Sequence, residues 1–104
     1  MQTVQKIAVV NNAGFDLSFH VEDDNGHTYG AETPGYPIDQ SRSVDLNETN
    51  LSAGTSVHPV VQALNVGGTH TANGQDVSYE GNNDTATYTV TGGYDNIQVQ
   101  LQGS

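Results

Sequence analysis

The chain has 104 residues, no cysteine and a formal net charge of −10. This length suits one domain, over 1–104, and the absence of cysteine excludes disulfides, thiolate catalysis and cysteine-bound metals. Because only Lys6 and Arg42 oppose twelve acidic residues, nucleic acid is excluded as a partner and anionic lipid surfaces should repel the chain.

No apolar run approaches the 18 residues that span a bilayer, so no membrane insertion is expected. The opening stretch MQTVQKIAVVNN is too weakly apolar for a secretory signal. We therefore predict a cytoplasmic protein if Met1 is the natural start, and a secreted one with its signal removed otherwise.

Alternating apolar residues predict β-strands from the N-terminus onward. The run KIAVV at 6–10 is almost continuously apolar, which is typical of a central strand. In FDLSFHVE at 15–22 every second residue is apolar, which predicts one buried and one polar face. Further strands are predicted for SVDL at 43–46, VHPVVQALNV at 57–66, VSY at 77–79, ATYTVT at 86–91 and NIQVQLQ at 96–102.

Turn signals recur about every ten residues between these runs. Residues 11–14 are predicted to close a hairpin between the first two strands, and Asp24-Asn25-Gly26 a second one. Residues 27–40 and 67–76 hold few apolar groups and are predicted to be long surface connections. The fold class is therefore all-β, a single antiparallel β-sandwich of seven or eight strands.

The predicted core follows from the same alternation. It comprises Ile7, Val9, Phe15, Leu17, Phe19, Val21, Val44, Leu46, Val57, Val61, Leu64, Val77, Tyr79, Tyr88, Val90, Ile97, Val99 and Leu101.

The polar face of the 15–22 strand is a candidate for chemistry. It carries Asp16, Ser18, His20 and Glu22, but a catalytic site also needs a pocket and an oriented second group. The sequence contains no G-x-S-x-G, HExxH, Walker or dinucleotide motif. We therefore expect this face to be solvated and the protein not to be an enzyme.

An acidic turn suggests a metal ion. Asp23, Asp24 and Asn25 offer carboxylate and carbonyl oxygens, the donors that calcium prefers. The EF-hand spacing is absent, because Gly26 comes too early in the loop. We predict no certain cofactor, with calcium at these three residues as an open alternative.

Aromatic and polar residues in the predicted loops suggest ligand recognition. A tyrosine ring can stack on a sugar while neighbouring polar side chains bond its hydroxyls. The candidate ligand-binding residues are Tyr29, Tyr36, His70, Asn73, Tyr94, Asp95 and Asn96. These favour a non-catalytic binding module for a glycan or a protein surface, with lectin-like glycan recognition as the leading hypothesis.

Two alternatives remain open. Strand edges with little lysine protection would permit a homo-oligomer that assembles into a filament, coat or shell. A small protease inhibitor would instead present the loop that begins with Pro34 and ends with Pro37.

Overall fold

The computed structural model describes residues 1–102, which form ten β-strands and a single 3-10 turn. In chain order the elements are β1 (Thr3–Val4), β2 (Lys6–Asn11), β3 (Asp16–Asp23), β4 (Thr28–Tyr29), β5 (Ser41–Asp45), the 3-10 turn (Leu46–Glu48), β6 (Ser56–Leu64), β7 (Thr71–Asn73), β8 (Val77–Tyr79), β9 (Thr85–Thr91) and β10 (Gln98–Leu101). Among residues 1–102, no helix is long and apolar enough to cross a bilayer.

The strands form two sheets that pack face to face. The first sheet has the order β1-β8-β6-β3-β4, with β7 also paired to β6, and the second has the order β10-β9-β2-β5. Most pairings are antiparallel, but β1 pairs with β8 and β2 pairs with β9 in parallel, so both sheets are mixed. The predicted all-β sandwich is confirmed.

The register of β3 against β6 shows how alternation builds the core. Leu17 lies opposite Ala63, and Phe19 lies opposite Val61. All four side chains are buried because they point toward the second sheet. The residues between them in sequence point to the outer face of the first sheet.

Most of the predicted core residues are buried, with four exceptions. Val44, Leu64, Ile97 and Val99 are only half-buried. Three of these lie on or beside β5 and β10, the edge strands of the second sheet, where a side chain is covered from fewer directions. Tyr36 was predicted to bind ligand but belongs to the core.

The predicted hairpin between the first two strands is wrong. β2 belongs to the second sheet and β3 to the first, so residues 12–15 carry the chain from one sheet to the other. The buried side chain of Asn11 directs this crossing: its amide donates to the Phe15 carbonyl (2.9 Å), and its oxygen accepts from the Ala13 amide (3.0 Å).

The two long connections predicted at 27–40 and 67–76 are partly regular. Residues 27–40 contain β4 and a bridge between Leu17 and Tyr36, so the segment extends the edge of the first sheet. Residues 67–76 contain β7, which pairs with β6. Backbone hydrogen bonds to an existing sheet compensate here for the weak apolar pattern.

The strand directions divide the connections between two ends of the sandwich. One end, called here the loop end, carries residues 12–15, 37–40, 65–70 and 92–97. The opposite end carries residues 24–27, 46–55 and 80–84. About 23 Å separate the two ends along β3, at roughly 3.3 Å per residue.

Candidate functional site

The loop end exposes two large hydrophobic side chains. Ile38 is 50% exposed and Tyr94 is 47% exposed, and among residues 1–102 only Met1 joins them as an exposed large hydrophobic residue. Met1 lies at the opposite end, where its sulfur accepts a hydrogen bond from Ser56. Two separate connections therefore present apolar surface at the same end of the sandwich.

An apolar cleft lies beside Ile38. It has a volume of about 270 Å³ and is lined by Ala13, Gly14, Phe15, Asp16, Pro37 and Ile38. The residue before Pro37 is tied to β2, because the Asn11 side-chain amide also donates to the Tyr36 carbonyl (3.1 Å). The cleft joins the crossing segment 12–15 to the segment before β5.

The second apolar group at the loop end is an aromatic pair. The rings of His70 and Tyr94 meet edge to face, with their centroids 5.1 Å apart and their planes at 72°. His70 is held by the contact of its Nε2 atom with the Gly67 carbonyl (2.9 Å). The turn beneath Tyr94 starts at Gly92, whose φ of +93° is unfavourable for any residue with a side chain.

Backbone bonds join the two parts of the loop end. The amide of Gly14 donates to the Gly92 carbonyl (3.0 Å), and the amide of Asn12 donates to the Val90 carbonyl (2.8 Å). The apolar cleft and the aromatic pair therefore belong to one connected surface.

Negative charge is concentrated away from this surface. Of the twelve acidic residues only three lie at the loop end, namely Asp16, Asp39 and Asp95. Seven lie at or next to the opposite end, namely Asp23, Asp24, Asp45, Glu48, Asp76, Glu80 and Asp84. Arg42 lies in the half of β5 nearer the loop end, opposite Val9.

The structure brings four of the seven predicted ligand-binding residues to the loop end, namely His70, Tyr94, Asp95 and Asn96. Tyr36 cannot contact a ligand, because it is 1% exposed and its hydroxyl donates to the Val9 carbonyl (2.7 Å). Tyr29 lies toward the opposite end, and Asn73 ends β7 midway along β6. Tyr29, Tyr36 and Asn73 therefore do not join the other four candidates at the loop end.

Two of the three predicted metal ligands, Asp23 and Asp24, face different neighbours. The Asp23 carboxylate accepts hydrogen bonds from the amides of Asn25 (2.9 Å) and His27 (3.0 Å) and from the Tyr29 hydroxyl (3.0 Å). Burial alone would raise the pKa of Asp23, but these hydrogen bonds outweigh it and lower the pKa to about 2. Asp24 faces different neighbours, His58 and Asp76.

The polar face of β3 is more than a solvated surface. Ser18 is buried, and its hydroxyl donates to the Glu32 carboxylate (2.5 Å). The Nε2 atom of His20 lies 2.6 Å from a Glu22 oxygen. The segment 30–33 lies alongside β3, where the Thr33 amide donates to the Phe19 carbonyl (2.9 Å). It supplies Glu32, which the alternation within β3 could not predict.

The segment between Pro34 and Pro37 does not project from the protein. The amide of Tyr36 donates to the Leu17 carbonyl (2.9 Å), and the Leu17 amide donates back (3.1 Å). Pro34, Gly35 and Pro37 are exposed, but an inhibitor loop must project into the active-site cleft of the protease. The pairing of this segment along β3 therefore speaks against the inhibitor hypothesis.

Sequence reasoning missed Ile38 and the apolar cleft. The only sequence signal is one large apolar residue, directly after Pro37, in a segment with no strand pattern. Asn11 was also missed, because nothing in its neighbourhood distinguishes a buried asparagine from an exposed turn residue.

Comparisons with known proteins concern the fold. No protein-family model and no curated protein matches the chain. The membrane-binding domain of pneumolysin is similar in structure, with 9% identity over 95% of this chain and 96% of that domain and a TM-score of 0.51. Listeriolysin O and wild-type pneumolysin are also similar, each with 8% identity over 93% of this chain and a TM-score of 0.52.

The chain spans 22% of the length of listeriolysin O and 22% of that of wild-type pneumolysin. At such low identity the likeness establishes the β-sandwich fold alone. It nevertheless corrects the expectation of no membrane insertion, because a domain with this fold is described in pneumolysin as membrane-binding. That expectation rested on the net charge and on apolar run length, and neither quantity describes one end of a folded sandwich.

Proposed function

We propose that the chain is a non-catalytic binding module that docks through its loop end onto the surface of a lipid membrane. The observation that carries this proposal is the exposure of Ile38 and Tyr94 on one end of the sandwich. The similarity to the membrane-binding domain of pneumolysin supports it.

The two exposed side chains suit a shallow position at a lipid surface. Isoleucine gains free energy by leaving water, about 1.5–3 kcal/mol for complete burial and about half of that from a half-exposed state. A tyrosine ring favours the interface, where its hydroxyl stays hydrated. The neighbouring cleft lined by Phe15 and Pro37 enlarges the apolar area.

The charge distribution restricts the kind of lipid. The loop end carries three acidic residues and only one nearby cation, Arg42. Because this end is net negative, it favours zwitterionic over anionic headgroups. The acidic residues of the opposite end lie more than two Debye lengths away at physiological salt, where that length is about 8 Å. The chain should therefore bind phosphatidylcholine better than phosphatidylserine.

Vesicle flotation tests the proposal. Phosphatidylcholine vesicles should carry the wild-type chain to the top of a density gradient, and Ile38→Asp should lower the bound fraction at least tenfold. The matched control is Ala53→Asp, which adds the same charge on an exposed residue of the opposite end. Equal binding by the two variants, or no binding by the wild type at high lipid concentration, would refute the proposal.

A second candidate is the lectin-like recognition of a glycan. The edge-to-face pair of His70 and Tyr94 favours it, because an exposed ring braced by a second ring can stack on a sugar. Asp95 and Asn96 follow Tyr94 and supply hydrogen-bonding groups. A glycan array with and without a chelator tests this candidate and its calcium requirement.

A further inference from the structure

Three polar residues from distant parts of the chain meet near the end of the sandwich opposite the loop end. Asp24 follows β3, His58 is the third residue of β6, and Asp76 precedes β8. Asp23 pairs with Val57, and Val57 pairs with Val77. Because these three paired residues point inward, their neighbours Asp24, His58 and Asp76 point outward together.

The donor atoms of the three residues are close together. The Nδ1 atom of His58 lies 2.9 Å from an Asp76 oxygen and 3.6 Å from an Asp24 oxygen. All three donor atoms lie within 4.8 Å of one another. His58 is only 8% exposed, whereas the two carboxylates reach the solvent, so the cluster is open on one side.

The surroundings hold the cluster in place. The Tyr88 hydroxyl donates to the Gln75 carbonyl (2.6 Å), which fixes the residue before Asp76. Glu22, which lies opposite His58 in the register, is already engaged with His20.

No lysine or arginine among residues 1–102 forms an ion pair with the Asp24 or Asp76 carboxylate. Every ion pair recorded among residues 1–102 has a histidine as its cationic member. Arg42 lies over the Tyr36 ring, 5.0 Å from its centroid, and Lys6 lies on β2 in the other sheet.

We propose that Asp24, His58 and Asp76 bind a zinc ion. One imidazole nitrogen and two carboxylate oxygens are the donor types that Zn²⁺ accepts at about 2.0–2.2 Å. Three such donors around a tetrahedral ion lie roughly 3.3–3.5 Å apart, close to the separations of 2.9 and 3.6 Å in this cluster. The open side leaves a fourth position for water.

Zinc suits the cluster better than calcium. Calcium requires six to eight oxygen ligands, and here an imidazole nitrogen occupies the central position. Zinc binding would link the turn after β3 to the segment before β8. The site would thus fasten strands on both sides of β6.

Thermal unfolding of the chelator-treated chain tests the site. At a zinc concentration about 100-fold above the Kd, the melting temperature should rise by on the order of 10 °C. Calorimetry should give one zinc per chain, and equimolar calcium should produce no comparable shift. Absence of a zinc-dependent shift at 100-fold excess over the protein would overturn the proposal.

Variants locate the site. Asp76→Asn and His58→Gln should each weaken zinc binding at least tenfold. The matched controls are Asp95→Asn, at the loop end, and His20→Gln, in the neighbouring His20–Glu22 pair, and both should keep the affinity of the wild type. Loss of binding in His20→Gln with retention in His58→Gln would assign the ion elsewhere and refute this site. If a variant is unfolded by circular dichroism, zinc-dependent shifts of the His58 ring signals in the wild-type chain decide the question.

Discussion

The side-chain amide of Asn11 donates a hydrogen bond of 3.1 Å to the backbone carbonyl of Tyr36. The Tyr36 hydroxyl donates in turn to the carbonyl of Val9, at 2.7 Å. Since β2 lies in the second sheet and Tyr36 pairs with Leu17 of the first, these two bonds join the sheets directly beneath the loop end. The position of the apolar cleft therefore depends on two buried polar groups.

Asn11→Ala should destabilise the fold. The substitution removes the side-chain partner of the Phe15 carbonyl and of the Ala13 amide in a buried setting. The Tyr36 carbonyl keeps only the bond from the Leu17 amide. We expect the free energy of unfolding to fall by about 2–4 kcal/mol, measured by urea denaturation. Asn12→Ala, an exposed neighbour, should change it by less than about 0.5 kcal/mol. Equal effects of the two substitutions would contradict this role.

Alkaline pH should destabilise the protein through Tyr36. Burial raises the pKa of its hydroxyl well above the usual value of 10, although the nearby Arg42 lowers it slightly. Above pH 10 the unfolded chain loses this proton while the folded chain keeps it, so the free energy of unfolding falls as the pH rises.

The Tyr36 contribution is measurable by comparing two phenylalanine variants. Tyr36→Phe should lower the free energy of unfolding by about 1 kcal/mol at pH 8. It should also make the decrease of that free energy above pH 10 less steep, by up to about 1.4 kcal/mol per pH unit. Tyr94→Phe, which alters an exposed ring, should leave the slope unchanged. A wild-type slope retained by Tyr36→Phe would assign the alkaline transition to another group.

Gly92→Ala should disturb the turn that carries Tyr94. A Cβ atom at this position would overlap the backbone oxygen of Asn96, and the φ of +93° already disfavours a side chain. We expect the free energy of unfolding to fall by about 1–3 kcal/mol and vesicle binding to weaken. Gly67→Ala is the control, since a Cβ atom there meets nothing within 4 Å. Comparable stability of both variants would show that the turn adapts.

The membrane and glycan proposals differ in their dependence on Ile38. Ile38→Ser should weaken vesicle binding several-fold, because it removes apolar area, and should leave glycan binding intact. Tyr94→Ser should weaken both activities, because its ring serves either surface. Surface plasmon resonance on lipid and on immobilised glycan provides the two readouts. Equal loss of both activities in Ile38→Ser would place the glycan in the apolar cleft.

The strands were predictable because alternation is a local property. The side chains of a strand point to opposite faces in turn. Leu17 and Phe19 therefore indicate a buried face, whichever strand pairs with β3. Turn residues such as Asn25 and Gly26 likewise act within a few positions. Tyr94 and His70 were identified from composition, but their ring contact joins residues 24 positions apart and could not be foreseen.

By itself the sequence determined an all-β sandwich with a polar exterior, since the apolar alternation and the turn residues each act over a few positions. Only the tertiary structure decided which strands share a sheet, because pairing depends on burial over the whole chain. The parallel pairing of β2 with β9 therefore replaced the expected hairpin. The same long-range register brought Asp24, His58 and Asp76 together and turned Ile38 and Tyr94 toward the same end.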